Sequence, residues 1–170
     1  MTARTLLILG GARSGKSRHA QTYAENTGLK CLFVATAQAL DSEMKTRIEK
    51  HKSERGQKWT AIEAPLNLPE VIHSHSSAST VMLIDCLTLW TSNILLANRD
   101  ISSATTELIQ ALEDAKGPII LVSNEVGLGI VPENPLARRF RDAAGIVNQR
   151  IASSVEKVSF VAAGLEMTLK

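Results

Sequence analysis

Apolar runs at 5–9, 30–35, 81–84 and 119–122 alternate along the chain with longer segments in which apolar residues return every three or four positions. The short runs are too brief for helices and show no in-out alternation, so they predict strands buried on both faces of a parallel sheet. The longer segments predict helices over 18–25, 41–55, 68–75, 87–97, 102–116 and 136–153. In the last of these, Leu136, Phe140, Ala144, Val147 and Ile151 share one face, as a helix packed on a sheet requires. Asn26-Thr27-Gly28 and Gly117-Pro118 are stop signals, and the serine-rich stretch 75–80 predicts a loop. A further short strand at 59–63 is closed by Pro65. Strands at 158–163 and 166–169 flank Gly164, which predicts a tight reversal and an antiparallel strand at the sheet edge. The first strand, helix and second strand fit a βαβ unit of about thirty residues with a right-handed crossover. No repeat or linker interrupts the 170 residues, so one α/β domain spanning the chain is expected.

The turn after the first strand carries the most specific chemistry. Gly10-Gly11-Ala12-Arg13-Ser14-Gly15-Lys16-Ser17 has the form G-x-x-x-x-G-K-S between an apolar strand and a helix-competent segment, the setting of a phosphate-binding P-loop. Its glycines let successive backbone N–H groups converge on phosphate oxygens at a helix N-terminus. Lys16 then reaches the terminal phosphates, and the Ser17 hydroxyl ligates Mg²⁺. The strand at 81–84 ends in Asp85, where P-loop proteins carry the acid that holds the Mg²⁺ shell from the opposite side. Thr36-Ala37-Gln38 and Asn124-Glu125 also follow strands, at the edge where open α/β sheets bind ligands. These features refine the expected fold to a P-loop NTPase-type three-layer sandwich, mostly parallel with an antiparallel edge strand.

Two other stretches carry candidate function. In the helix at 41–55, Met44, Ile48, His51 and Arg55 share a face, so His51 is directed toward the protein body. By pattern alone it is either a packed core histidine or a chemical group. The stretch 126–135 holds two glycines, two prolines and several apolar residues, as a working lid or a partner-contact loop would. Composition narrows the partners. With a net charge of only +2 and its Lys and Arg residues scattered, nucleic acid is not an expected ligand. Cys31 and Cys86 lie in or beside apolar runs without metal-ligand spacing, which fits a reducing cytoplasm. Neither a signal peptide nor a bilayer-spanning run is present in the sequence. No guanine-reading N-K-x-D occurs, which leaves ATP and GTP both open as phosphoryl donors.

Taken together, the motifs resemble the bifunctional adenosylcobinamide kinase/adenosylcobinamide-phosphate guanylyltransferases of cobalamin biosynthesis. The resemblance covers almost the whole chain: the P-loop with Arg18, Ala35-Thr36-Ala37-Gln38, Arg47-Ile48 with His51, Trp59 with Glu63 and Pro65, Asp85-Cys86-Leu87-Thr88 with Asn93, and the run from Ser123 to Asn134 followed by Ala137-Arg138 and Phe140-Arg141-Asp142. It implies that a nucleoside triphosphate, ATP or GTP, phosphorylates adenosylcobinamide, and that GTP then donates GMP to the phosphate with release of pyrophosphate. It further implies a GMP-histidine intermediate at His51, nucleotide contacts from Gly10 to Ser17 and at Ala35, Thr36, Ala37, Lys52, Ser53, Glu54, Arg55, Glu63 and Asp85, and a homotrimer. Two rival readings of the same residues are a simple kinase, in which His51 is structural, and a nucleotide-dependent switch that uses the loop at 124–135 for a partner.

Overall fold

A computed structural model describes residues 4–38 and 59–170. The expected helix at 41–55, with His51, Lys52, Ser53, Glu54 and Arg55, lies outside the described residues. The strands are β1 (Thr5–Gly10), β2 (Lys30–Ala35), β3 (Trp59–Glu63), β4 (Thr80–Asp85), β5 (Ile119–Asn124), β6 (Lys157–Ala162) and β7 (Leu165–Thr168). The helices among the described residues are α1 (Lys16–Glu25), α2 (Leu68–His75), α3 (Leu87–Leu96), α4 (Ile101–Asp114) and α5 (Pro135–Ser154).

The strands form one seven-stranded sheet in the order β3-β2-β4-β5-β1-β6-β7. Every pairing is parallel except β6 with β7. Side chains alternate across each strand, which splits the apolar runs into two cores. Leu7, Leu9, Leu32, Val34, Met82, Ile84, Ile119 and Leu121 pack with Leu68, Trp90, Leu108, Val147 and Ile151 from α2 to α5. On the opposite face Leu6, Ile8, Phe33, Val81, Leu83, Ile120 and Val122 pack with Ala20 and Ala24 of α1. Helices thus cover both faces, which is why the central strands are apolar without alternation. Trp90 is fully buried and its indole N–H donates to the Leu66 carbonyl at 3.0 Å.

Boundaries shift where polar side chains act. Asp100 accepts the Ser103 N–H at 2.7 Å, an N-cap that starts α4 at Ile101, one residue before the apolar period suggests. The final reversal uses two residues, Ala163 and Gly164, with φ of 51° and 81°. Positive φ at both centres is what a two-residue hairpin needs to match strand twist.

That hairpin is tied to α1. Glu166 of β7 meets His19 Nε2 at 3.0 Å and Lys157 Nζ at 3.4 Å, and Ser159 Oγ donates to it at 2.5 Å. The Ser159 hydrogen bond holds the Glu166 carboxyl below its ordinary range, and the charges of His19 and Lys157 act the same way. A carboxyl with a lowered folded-state value adds stability above its unfolded value, about 4.3, and loses it as pH falls through the folded value. Glu166→Gln should therefore melt at a lower temperature than wild type at neutral pH. In thermal melts the gap should begin to narrow as pH falls below about 4.3 and close only once pH has passed the lower folded value, where the wild-type carboxyl is itself protonated; a gap unchanged in acid would mean that the charge is irrelevant.

Candidate active site

The P-loop is shaped by what surrounds the end of β1. A Cβ on Gly10 would collide with the Val161 carbonyl and lie 2.6 Å from Ser14 Oγ, so only glycine fits there. The Gly10 carbonyl accepts the Glu125 N–H at 3.1 Å, and the Ser14 carbonyl accepts the Gly164 N–H at 2.8 Å. Gly15, at φ 96°, turns the chain into α1 and offers no side-chain cap. The first-turn N–H groups of α1 therefore lack a side-chain acceptor at the cap position and can receive an anion. Lys16 is buried, and its Nζ donates to the Gly11 carbonyl at 3.0 Å, so its charge is held over the loop. Ser17 is half-buried in the same turn, while Ala12 and Arg13 are exposed.

Strand order places the acid. β5 lies between β4 and β1, so Asp85 stands one strand removed from the P-loop on the same sheet edge. Asp85 pairs in register with Val122, whereas Gly10 pairs with Asn124. Asp85 is half-buried. Across the other side, Ala35 pairs with both Asp85 and Glu63. Three of the residues singled out from the sequence thus form one row across β4, β2 and β3. Lys52, Ser53, Glu54, Arg55 and His51 lie outside the described residues.

Behind this edge runs a polar layer whose hydrogen bonds the sequence did not announce, although Thr36 was expected here as a nucleotide contact. Thr36 is fully buried; its hydroxyl donates to the Cys86 carbonyl at 2.7 Å and accepts the Cys86 N–H at 2.8 Å. Asn93 of α3 donates to the carbonyls of Thr36 and Pro65 at 2.8 and 2.9 Å, which ties together the segments after β2 and β3. Thr88 Oγ1 accepts the Asn124 N–H at 2.6 Å, and Asn148 of α5 donates to the Asn124 carbonyl at 3.1 Å. For Thr88, Asn93 and Asn148 the local sequence signal is a polar residue on an otherwise buried helix face. Burial pushes the Cys86 thiol up to about 11, with the Asp85 charge adding to the effect, so the thiol is neutral at pH 7 and a poor nucleophile.

A family model for cobinamide kinase / cobinamide phosphate guanyltransferase matches residues 6–169. The chain belongs to this family. A bifunctional adenosylcobalamin biosynthesis protein, CobP, from Pseudomonas aeruginosa is 47% identical over 166 residues, covering 96% of each chain. CobU of Escherichia coli, a protein of the same description, is 38% identical over 97% of this chain and 99% of its own. Among solved structures, the flagellar accessory protein FlaH from Methanocaldococcus jannaschii superimposes with a TM-score of 0.53 at 16% identity, over 98% of this chain and 78% of that one. A type III secretion ATPase gives a TM-score of 0.56 at 10% identity, over 97% of this chain and 56% of its own. Those two likenesses concern the fold alone, a P-loop NTPase-type sheet as the motif implied.

Within this cobinamide kinase/guanyltransferase, Thr36 is the joint between β2 and the Asp85 segment. Thr36→Val keeps the shape but leaves the buried Cys86 N–H without its acceptor, which should cost about 1–3 kcal/mol in urea unfolding. Thr36→Ser should recover most of the loss. Nucleotide affinity, read by titration, should follow the same order; equal stability of all three proteins would show that the clamp is idle.

Proposed function

We propose that this chain phosphorylates the aminopropanol hydroxyl of adenosylcobinamide and then transfers GMP from GTP to the new phosphate, through a GMP-histidine at His51. The observation that carries this reading is the braced P-loop, with Lys16 over it and Asp85 on the same edge, in a chain matched end to end by the family model. In the first reaction the hydroxyl oxygen attacks the γ-phosphorus, the nucleoside diphosphate leaves and the hydroxyl proton is released. In the second, an imidazole nitrogen of His51 attacks the α-phosphorus of GTP and pyrophosphate leaves. An oxygen of the corrinoid phosphate then attacks the same phosphorus and returns the imidazole. An imidazole with its usual value of about 6.5 is largely neutral at pH 7 and needs no separate base.

The donor set suits Mg²⁺. Among the described residues no three His, Cys, Asp or Glu side chains cluster as a metal cage. Ser17 and Asp85 offer two oxygens, and Mg²⁺ is commonly bound by one or two protein oxygens together with phosphates and water. When bound it neutralises charge on the phosphates; Lys16 and the loop N–H groups do the same from the protein side. His19, on α1 beside the P-loop, has its Nε2 engaged with Glu166, which favours His51 as the nucleophile. The cytoplasm suits the buried thiols of Cys31 and Cys86. The homotrimer is what the family resemblance implies; β7, an edge strand whose Leu165 and Met167, with Leu169 beyond it, are exposed, supports association with another copy and leaves the number of copies to the resemblance. No helix of the described residues is long and apolar enough to cross a membrane.

Two variants test the scheme. Lys16→Ala should lose both reactions, since each needs the same phosphate cradle; full guanylyl transfer in that protein would contradict a shared site. His51→Ala, incubated with α-labelled GTP, should form no alkali-stable, acid-labile adduct and no adenosylcobinamide-GDP, yet retain much of its phosphoryl transfer. An adduct at the wild-type rate would move the nucleophile elsewhere.

A further inference from the structure

The loop that follows β5 exposes apolar side chains without being slack. Leu128 is 84% exposed, Ile130 96% and Val131 60%. Polar groups hold its backbone: the Asn134 side chain accepts the N–H groups of Leu136 and Ala137 at 2.8 and 3.1 Å. Arg138 Nη1 donates to the carbonyls of Pro132 and Glu133 at 2.9 and 2.6 Å. At the stem, the Glu125 carboxylate accepts the Gly127 N–H at 2.5 Å, and the Glu125 N–H donates to Gly10 of the P-loop at 3.1 Å. The burial of Leu128, Ile130 and Val131 thus does not hold the loop in place. A loop tethered at both ends that keeps three apolar side chains in water has the character of a binding surface.

We propose that residues 126–134 form the platform on which the corrin ring of the acceptor sits during both transfers. This rests on the reading that the chain phosphorylates adenosylcobinamide. The reacting hydroxyl lies at the end of an arm, so the macrocycle must sit outside the phosphate cradle yet beside it. The loop meets that demand, because its stem residue Glu125 is bonded to Gly10. A corrin ring has a broad apolar face, matched by Leu128, Ile130 and Val131, and a rim of amides, matched by the peptide groups around Gly127 and Gly129. An alkylcobalt(III) corrin with neutral amides carries one net positive charge. The loop carries Glu125 and Glu133 against one cation, the Arg138 guanidinium held on its Pro132 and Glu133 carbonyls, so the charge left over is negative and opposite in sign to the corrin's.

The test is the double variant Leu128→Ser/Ile130→Ser in the full chain, with adenosylcobinamide as the varied substrate of the kinase reaction. Loss of two apolar contacts should raise the KM for the corrinoid by about tenfold or more. GTP affinity by titration, melting temperature and mass in solution should stay at wild-type values, because neither side chain supports the fold or the P-loop. An unchanged corrinoid KM would overturn the proposal. So would a changed mass in solution with a wild-type KM, which would assign the loop to a second copy of the chain. A wild-type protein that does not phosphorylate adenosylcobinamide would sink the functional reading and this one with it, and that result is distinct from an active wild type with an unimpaired variant.

Discussion

Two backbone N–H groups, one from the end of each strand beside β1, hold the phosphate loop in its shape. Glu125, after β5, donates to the Gly10 carbonyl, and Gly164, after β6, donates to the Ser14 carbonyl. Both carbonyls are thereby turned outward to the neighbouring strands, which suits a loop whose N–H groups must face an anion. Gly10 has to be glycine because the Val161 carbonyl occupies the space a Cβ would need. The P-loop is thus a feature of three adjacent strands, although its motif lies in one segment.

The same bracing links distant parts of the chain. Gly164 belongs to the hairpin turn, its Cα lies 3.3 Å from where a Gly15 Cβ would stand, and β7 beyond it is bound to α1 through Glu166 and His19. A force on β7 would reach the P-loop over a path of one hydrogen bond and the helix that carries Lys16. On the opposite side, Thr88 and Asn148 fix both peptide groups of Asn124, so the stem of the 126–134 loop is anchored to α3 and α5 before the chain turns into solvent.

Much of this was legible in the sequence, and the parts that were not share a physical cause. Local pattern sufficed for β1, the glycine turn into α1, the position of Asp85 at the end of β4 and the antiparallel β7, because each depends on residues close together in the chain. The insertion of β5 between β4 and β1 depends on pairing among segments more than thirty residues apart, and no periodicity encodes it. The row formed by Ala35, Glu63 and Asp85 is a consequence of register, so the resemblance could name its members but not their adjacency. Thr36 and Asn93 act through carbonyls of other segments, and a lone buried polar side chain announces neither its partner nor its purpose. Ala163 at positive φ was missed because a glycine stood beside it and alanine is no turn former.

The layout explains how one cradle can serve two transfers. A P-loop grips the triphosphate chain and leaves open which phosphorus meets a nucleophile; that is decided by where the nucleophile comes from. The chain leaves β2 through 36–38 on the functional edge, and this connection toward β3 contains His51 in sequence. The loop after β5 leaves the same edge on the other side of β4. A histidine supplied from the first connection and a corrinoid seated on the second would therefore approach from different elements without competing for one space. Thr36, clamped to Cys86 beside Asp85, stands where the first connection begins, so the rigidity of that joint fixes the origin of one approach relative to Asp85.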